Sequence, residues 1–544
     1  MRRTCMVAVV FLVLCGTAHA QHTHHATKPS GPETPATLVR GLGSHHHPVS
    51  TTSPEAQRFF DQGLRFVYAF NHDEAVRSFR RAAQLDPQMA MAYWGIALAF
   101  GPNINLEAEP EREKAAYQAV QQALALAGKA PTNERLYIEA LAKRYTATAG
   151  VEQGKLALDY RNAMGELVKR YPDDLDAATL FAEAGMNLRP WQLWTADGKP
   201  AEGTEAIVAT LESVLRRDPN HVGAIHYYIH AVEASPNPER ALAYAPKLAS
   251  LAPAAGHLVH MPAHIYQRTG DYKAAARSNH EAARADEAYI RSRGVQGLYP
   301  VMYYSHNLHF LAVAHSMAGR SADALAAAKR LEAHVVSQFK EMPMVEGFIP
   351  TSTLLLVRFR KWKEILKVPS PDPSMLTTYA FWHFARGSAL AAQGEVAKAD
   401  SERTAFREAV KRVPEDDGAQ ATLKVAERML SARIAASKRE NKAAIELLGK
   451  GVEIEDSLPY GEPPAWYSPV RESLGGLLLR EGRYAEAEAV FRADLERNRR
   501  SGRSLFGLMA ALRGQGRAYE AKLVEGEFEK AWAEADTRLS VEDL

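Results

Sequence analysis

One frame of small, aromatic and turn residues recurs along this chain, and it restricts the fold more than composition does. In FFDQGLRFVYAFNHDEAVRSFRRAAQLDP, Gly63 is followed by Ala75, Phe79, Ala82 and Pro87. SLGGLLLREGRYAEAEAVFRADL repeats the frame through Gly475, Leu478, Gly482, Tyr484, Ala487 and Phe491. FARGSALAAQGEVAKA repeats it again through Gly387, Leu390, Gly394 and Ala399. From Pro54 onward the text is Ala-rich and amphipathic, with almost no strand-like alternation, which predicts helices. Recurrence of this kind marks stacked helical units, none able to bury its apolar face alone. Small residues where the helices cross let neighbouring units approach.

These residues resemble the tetratricopeptide-repeat (TPR) family over most of residues 54–530. The resemblance implies an all-α, right-handed helical-hairpin solenoid with inserted loops, occupying residues 54–544. It also implies that the first helix of each hairpin lines a concave groove through its second, fifth, ninth and twelfth positions. A peptide, protein or small-molecule ligand would sit there. MAYWGIALAFGPNIN and HLVHMPAHIY further resemble secreted bacterial TPR proteins of unassigned role.

The 544 residues are 46% hydrophobic and 24% charged, a globular balance. No apolar run reaches the roughly 18 residues of a transmembrane helix. Arg2, Arg3, the apolar run Met6–Leu14 and the small-residue site Ala18-His19-Ala20 predict a secretory signal peptide over residues 1–20, hence a periplasmic or secreted protein. A lipoprotein reading of Leu12-Val13-Leu14-Cys15-Gly16 fits less well, because the bulky Leu14 precedes the cysteine. The two cysteines, Cys5 and Cys15, both fall in this segment, so cleavage excludes thiol catalysis and thiolate metal sites. Cleavage also leaves 64 basic residues (66 less Arg2 and Arg3) against 64 acidic ones. That balance carries no electrostatic footprint for nucleic acid. Residues 21–53, rich in Pro, Ser, Thr and Gly, read as a flexible arm. Its His22, His24, His25, His45, His46 and His47 form either a metal-scavenging tract or a polar linker.

Half of the twenty histidines lie between His221 and His315. Anchored on terminal prolines and the turn glycine, three successive hairpins begin near Val222, Gly256 and Ser305. The first places His226 and His230 at its fifth and ninth positions and Glu233 at its twelfth. The second places His257, His260 and His264 at its second, fifth and ninth. The third places His306 and His309 at its second and fifth. Seven of the nine second, fifth and ninth slots are therefore histidine, and His226 to His260 and His230 to His264 are both 34 residues, one repeat. Spacings of three and four put imidazoles on one helix face, and adjacent helices pack about 8–10 Å apart, so several rings can converge on one ion. Imidazole with carboxylate and no cysteine suits a divalent transition metal, and Cu, Zn and Fe all fit. Met261 beside His260 is a weak pointer to copper.

In the preceding repeat Glu183 takes the ninth position, extending a row Glu183, His230, His264 as a carboxylate ligand or general base. Glu233 and Tyr304 are the other candidate catalytic groups, with Tyr303 beside the latter. Asn187 and the loop RPWQLWTADGKP, with Trp191 and Trp194, follow the Glu183 helix. LPYGEPPAWYSP brings Tyr460, Glu462, Trp466 and Tyr467. Long loops in a regular solenoid are often functional, and these are placed to hold a ligand over the histidines, local packing being the competing role. FGPNINLEAEP reads as a turn. HExxH and the GxGxxG, GxxxxGK[ST] and GxSxG signatures are absent. Two functions follow: a metal-dependent protein, as an enzyme a hydrolase or oxidoreductase, or a non-catalytic periplasmic scaffold that binds a peptide or protein in the groove.

Overall fold

The computed structural model describes residues 36–544 apart from Ala149, Gln296 and Asp416. The signal-peptide segment and His22, His24 and His25 lie outside the described residues. Helical hairpins follow one another from Pro54–Tyr68 and His72–Leu85 to Gly502–Gly514 and Ala518–Ala531. The fold is an all-α, TPR-type solenoid. Among the described residues there is no strand, only the isolated bridges Asn103 to Leu106 and Trp194 to Pro200. None of the described helices is long and apolar enough to cross a membrane.

The repeat frame has a direct steric meaning. Phe79 fits against Gly63 of its own hairpin and Gly95 of the next, where a Cβ would come within 2.6 and 2.5 Å of its ring. Phe491 makes the same fit to Gly475 and Gly507. In both places one aromatic ring locks a hairpin to the next through two glycines that admit it. Side-chain caps set several helix starts: Ser53 accepts from Ala56 N, Asp174 from Ala177 N and Asp271 from Ala274 N.

Two features close the array on itself. Tyr68, ending the first described helix, packs against Gly223 on the helix Val222–Val232, where a Cβ would meet its ring at 2.5 Å. At the other end Asp536 accepts from the backbone N–H groups of Ser321 and Ala322 at 2.7 and 2.8 Å, and Tyr272 donates to the Arg499 carbonyl at 3.0 Å. The concave rows are consequently buried rather than open to solvent.

Residues 36–53 depart from the expected flexible arm. Ala36, Leu42 and His47 are buried, and Ala254 N donates to Gly41 O at 2.9 Å. Gln62, Asp61 and Arg65 bond the segment, as does Asp176, whose carboxylate accepts from His45 Nε2, His47 Nδ1 and Tyr68 Oη at 2.9, 2.8 and 2.5 Å. His221 Nε2 lies 3.2 Å from the same carboxylate. Its Nδ1 accepts from Ala224 N, so its proton sits on Nε2 and points at Asp176. His46 meets Asp61 at 2.8 Å. Low apolar content failed to report order here because polar bonds add to the burial of the few apolar residues, Ala36 and Leu42 among them.

Candidate metal centre

Six of the seven ladder histidines converge, as two sets of three. His226, His230 and His257 form one, and His260, His264 and His306 the other, with one ligand atom from each residue within 4.8 Å of those of its set. The first two come from the helix Val222–Val232, and His257 and His260 from the short helix Gly256–His260. His264 follows on Pro262–Thr269, where Pro262 interrupts the run, and His306 lies on Tyr304–Met317. The two sets abut, with the His230 and His264 rings 5.7 Å apart and those of His257 and His260 6.0 Å apart. His309 stands outside both, packed between Phe348 and Tyr467 with ring centroids 5.6 Å from each.

The far side of four rings is committed to an acceptor. His226 Nδ1 donates to the Tyr68 carbonyl at 2.7 Å and His260 Nδ1 to Asn279 Oδ1 at 2.6 Å. The Asn279 amide is oriented by its own donation to Ala275 O. His230 Nδ1 donates to Glu233 Oε1 at 2.8 Å and His264 Nδ1 to Glu233 Oε2. Glu233, 1% exposed, therefore orients one imidazole of each set. This is the second-layer carboxylate arrangement that fixes the tautomer of a ligating histidine and leaves its Nε2 lone pair free.

Those lone pairs then meet. His260 Nε2 lies 2.7 Å from His264 Nε2 and 3.1 Å from His306 Nε2, and His226 Nε2 is 3.1 Å from His257 Nε2. His257 and His306 are free to carry their protons on Nε2 and donate. His260 and His264 are not, since both have already given the Nδ1 proton to an acceptor. His230 Nε2 is buried without a hydrogen-bond partner. Burial, reinforced by neighbouring imidazoles, holds His226, His257 and His260 well below the ordinary imidazole range and pushes His306 down to about 3. Burial opposes ionisation of Glu233, but His264 and His230 outweigh it and keep the carboxyl below its usual range.

Aromatic residues seal the cluster. Phe70 lies outside the histidine ladder, yet its ring is 4.4, 5.9 and 5.3 Å from those of His226, His230 and His257. It occupies the interhelical turn position that Gly482 holds in a later repeat; both have positive φ, 53° and 71°. A bulky residue in that region costs of order 1 kcal/mol or more. A phenylalanine where the turn favours glycine was the available sequence signal. Phe310 does for the second set what Phe70 does for the first, 5.3 Å from His260 and 5.6 Å from His264.

The other expected site residues divide between this chamber and the surrounding structure. Trp191 meets His230 edge-on at 5.7 Å and is 38% exposed, while Trp194 Nε1 donates to Ala231 O at 2.8 Å. Tyr303 meets His257 at 5.1 Å. Tyr460 donates to Glu462 and lies beneath Arg268, which anchors the end of the His230 helix by donating to Glu233 O and Ser235 O. Burial and the Glu233 charge push the Glu462 carboxyl well up. Tyr467 reaches His309, whereas Trp466 packs with Phe381 and Phe384 and donates to Ser468 O, a core role. Glu183 continues the row in register but not in contact: it accepts from Asn187 Nδ2, and its interactions are with Arg144. Tyr304 faces away, donating to Glu287 at 2.8 Å beside Arg330.

No protein-family model and no curated protein matches this chain. Among solved structures, the human IFIT1 dimer with m7Gppp-AAAA is 13% identical over 89% of this chain and 92% of that one, with a TM-score of 0.34. Yeast Tom70 is 13% identical over 90% and 93%, with a TM-score of 0.27. Likeness at this level says nothing about the histidine chamber.

Proposed function

We propose that this protein is an exported TPR solenoid that binds a transition metal through imidazole inside its closed groove. The observation that carries this reading is the His260–His264 pair. Two lone pairs face each other at 2.7 Å on buried side chains, with both Nδ1 protons committed elsewhere. A metal ion between them relieves that arrangement, and His306 Nε2, 3.1 Å from His260 Nε2, brings a third donor to the same place. Ligands at about 2.0–2.1 Å require nitrogens roughly 3.3 Å apart, a small opening of the present contacts. When bound, such an ion activates water or exchanges electrons, and Trp191 marks the side from which a small substrate would approach. A peptide scaffold is less well supported, because the groove rows that would touch a peptide are covered by Phe70 and the 189–200 and 458–469 loops.

Metal analysis of the purified mature protein tests this. Stoichiometric Cu, Zn or Fe is expected, lost in the His260→Ala/His264→Ala variant; a metal-free protein that takes up none of the three defeats the reading. The acid sensitivity is also specified. Free imidazole protonates near pH 6.5, and burial with neighbouring imidazoles holds His226, His257, His260 and His306 below that. Metal release is therefore expected at a lower pH than protonation of a free imidazole would give. Release already complete at pH 6 would contradict ligation by these buried rings.

A further inference from the structure

We propose that the chamber holds two copper ions, one in each three-imidazole cup, with Glu233 fixed between them; this rests on the metal-binding reading above. The repeat generates the pair. The first cup takes the fifth and ninth positions of one hairpin, His226 and His230, and the second position of the next, His257. The other cup takes the fifth and ninth positions of that next hairpin, His260 and His264, and the second position of the one after, His306. The rule runs out on both sides. One hairpin earlier the corresponding residues are Thr179, Glu183 and Gly223, which offer no imidazole. One hairpin later the fifth position is His309 but the ninth is Val313, and His309 accordingly packs against Phe348 and Tyr467 instead of joining a cup.

The cups are separate yet share one support. Glu233 spends one oxygen on His230 and the other on His264, so a single carboxylate sets the ring orientation in both. Each set also has its own acceptor, the Tyr68 carbonyl behind His226 and Asn279 behind His260. Phe70 packs on the first and Phe310 on the second. Six donors divided in this way serve two ions, not one octahedral ion.

Charge and coordination number select copper. Five of the six rings are no more than 3% exposed, and the bound donors are neutral imidazoles. With Glu233 ionised, two divalent ions leave three net positive charges in this interior, whereas two Cu(I) ions leave one. The desolvation cost of buried charge rises steeply with its magnitude. Three donors also satisfy Cu(I) by themselves, while zinc on three imidazoles needs a water as its fourth ligand.

The test is titration of metal-free, full-length mature protein with Cu(I), kept reduced by ascorbate without oxygen and held against a chromogenic Cu(I) chelator. Two equivalents are expected for the wild type and for His309→Gln. One equivalent is expected for His226→Gln and one for His306→Gln, with circular dichroism confirming that each variant keeps its helices. A wild type that saturates at one equivalent overturns the pair, and that measurement needs no variant to fold. Loss of both ions in either single variant likewise overturns independent cups. Two equivalents of Zn(II) without Cu(I) uptake overturns the copper assignment. Failure to take up Cu, Zn or Fe at all strikes the metal-binding reading itself.

Discussion

Asp176→Asn is expected to loosen residues 36–53 at His45 and His47 and to lower the unfolding free energy by about 3–5 kcal/mol, the usual result of removing one member of a buried charged network. The carboxylate takes bonds from His45, His47 and Tyr68, with His221 beside it, and an asparagine amide cannot accept on both of its atoms. Urea denaturation reads the stability loss, and trypsin cleavage after Arg40 reads release of the segment. An unchanged midpoint with unchanged cleavage would show that Asp176 does not hold it. The pH dependence has a fixed sign. Burial works against both charges, but the Asp176 bonds win, raising His47 above its ordinary value and holding Asp176 well below its own. The His47 contribution is complete below about pH 6.5 and is lost as pH climbs through its raised pKa. The Asp176 contribution is complete above about pH 3.9 and is lost only in stronger acid. Cleavage at Arg40 should therefore be slowest between about pH 4 and 6.5 and faster at pH 8.

The hairpin stack is legible in the sequence because the contact that makes it, Phe79 between Gly63 and Gly95, joins residues sixteen apart whose spacing the repeat fixes. The histidine rows are legible for the same reason: a helical period within a hairpin and the 34-residue step from His226 to His260 and His230 to His264 relate five rings, and His306 takes the second position of the next hairpin. What turns rows into cups is not periodic. The carbonyl behind His226 belongs to Tyr68, 158 residues earlier, and Phe70 arrives with it because the solenoid curves back on itself. Local spacing carries no record of that curvature. Asn279 is hidden differently, since it lies on a second helix, Tyr272–Arg293, outside the groove-lining positions. Glu183 and Tyr304 show the converse limit. Each has the register or neighbourhood of a site residue, but Asn187 and Arg144 engage the first, and Glu287 and Arg330 the second.

The Glu233→Gln variant separates a carboxylate that orients ligands from one that merely fills space. Glutamine has the same shape but one acceptor oxygen and one amide donor, whereas Glu233 accepts from His230 Nδ1 and His264 Nδ1 at once. The amide can accept from one imidazole and must donate to the other. The second imidazole then carries its lone pair on Nδ1 and its proton on Nε2, pointing at the metal position, and cannot ligate there. Loss of such a second-layer partner typically weakens metal binding by about 10- to 100-fold. Here the loss should fall on one cup, because only one histidine changes tautomer. Competition titration is therefore expected to show one binding event near its wild-type affinity and one weakened by about 10- to 100-fold. Glu233→Ala removes both acceptors and should weaken both events. If both variants match the wild type, Glu233 has no orienting role; if Glu233→Gln weakens the two events equally, the cups are not independently supported.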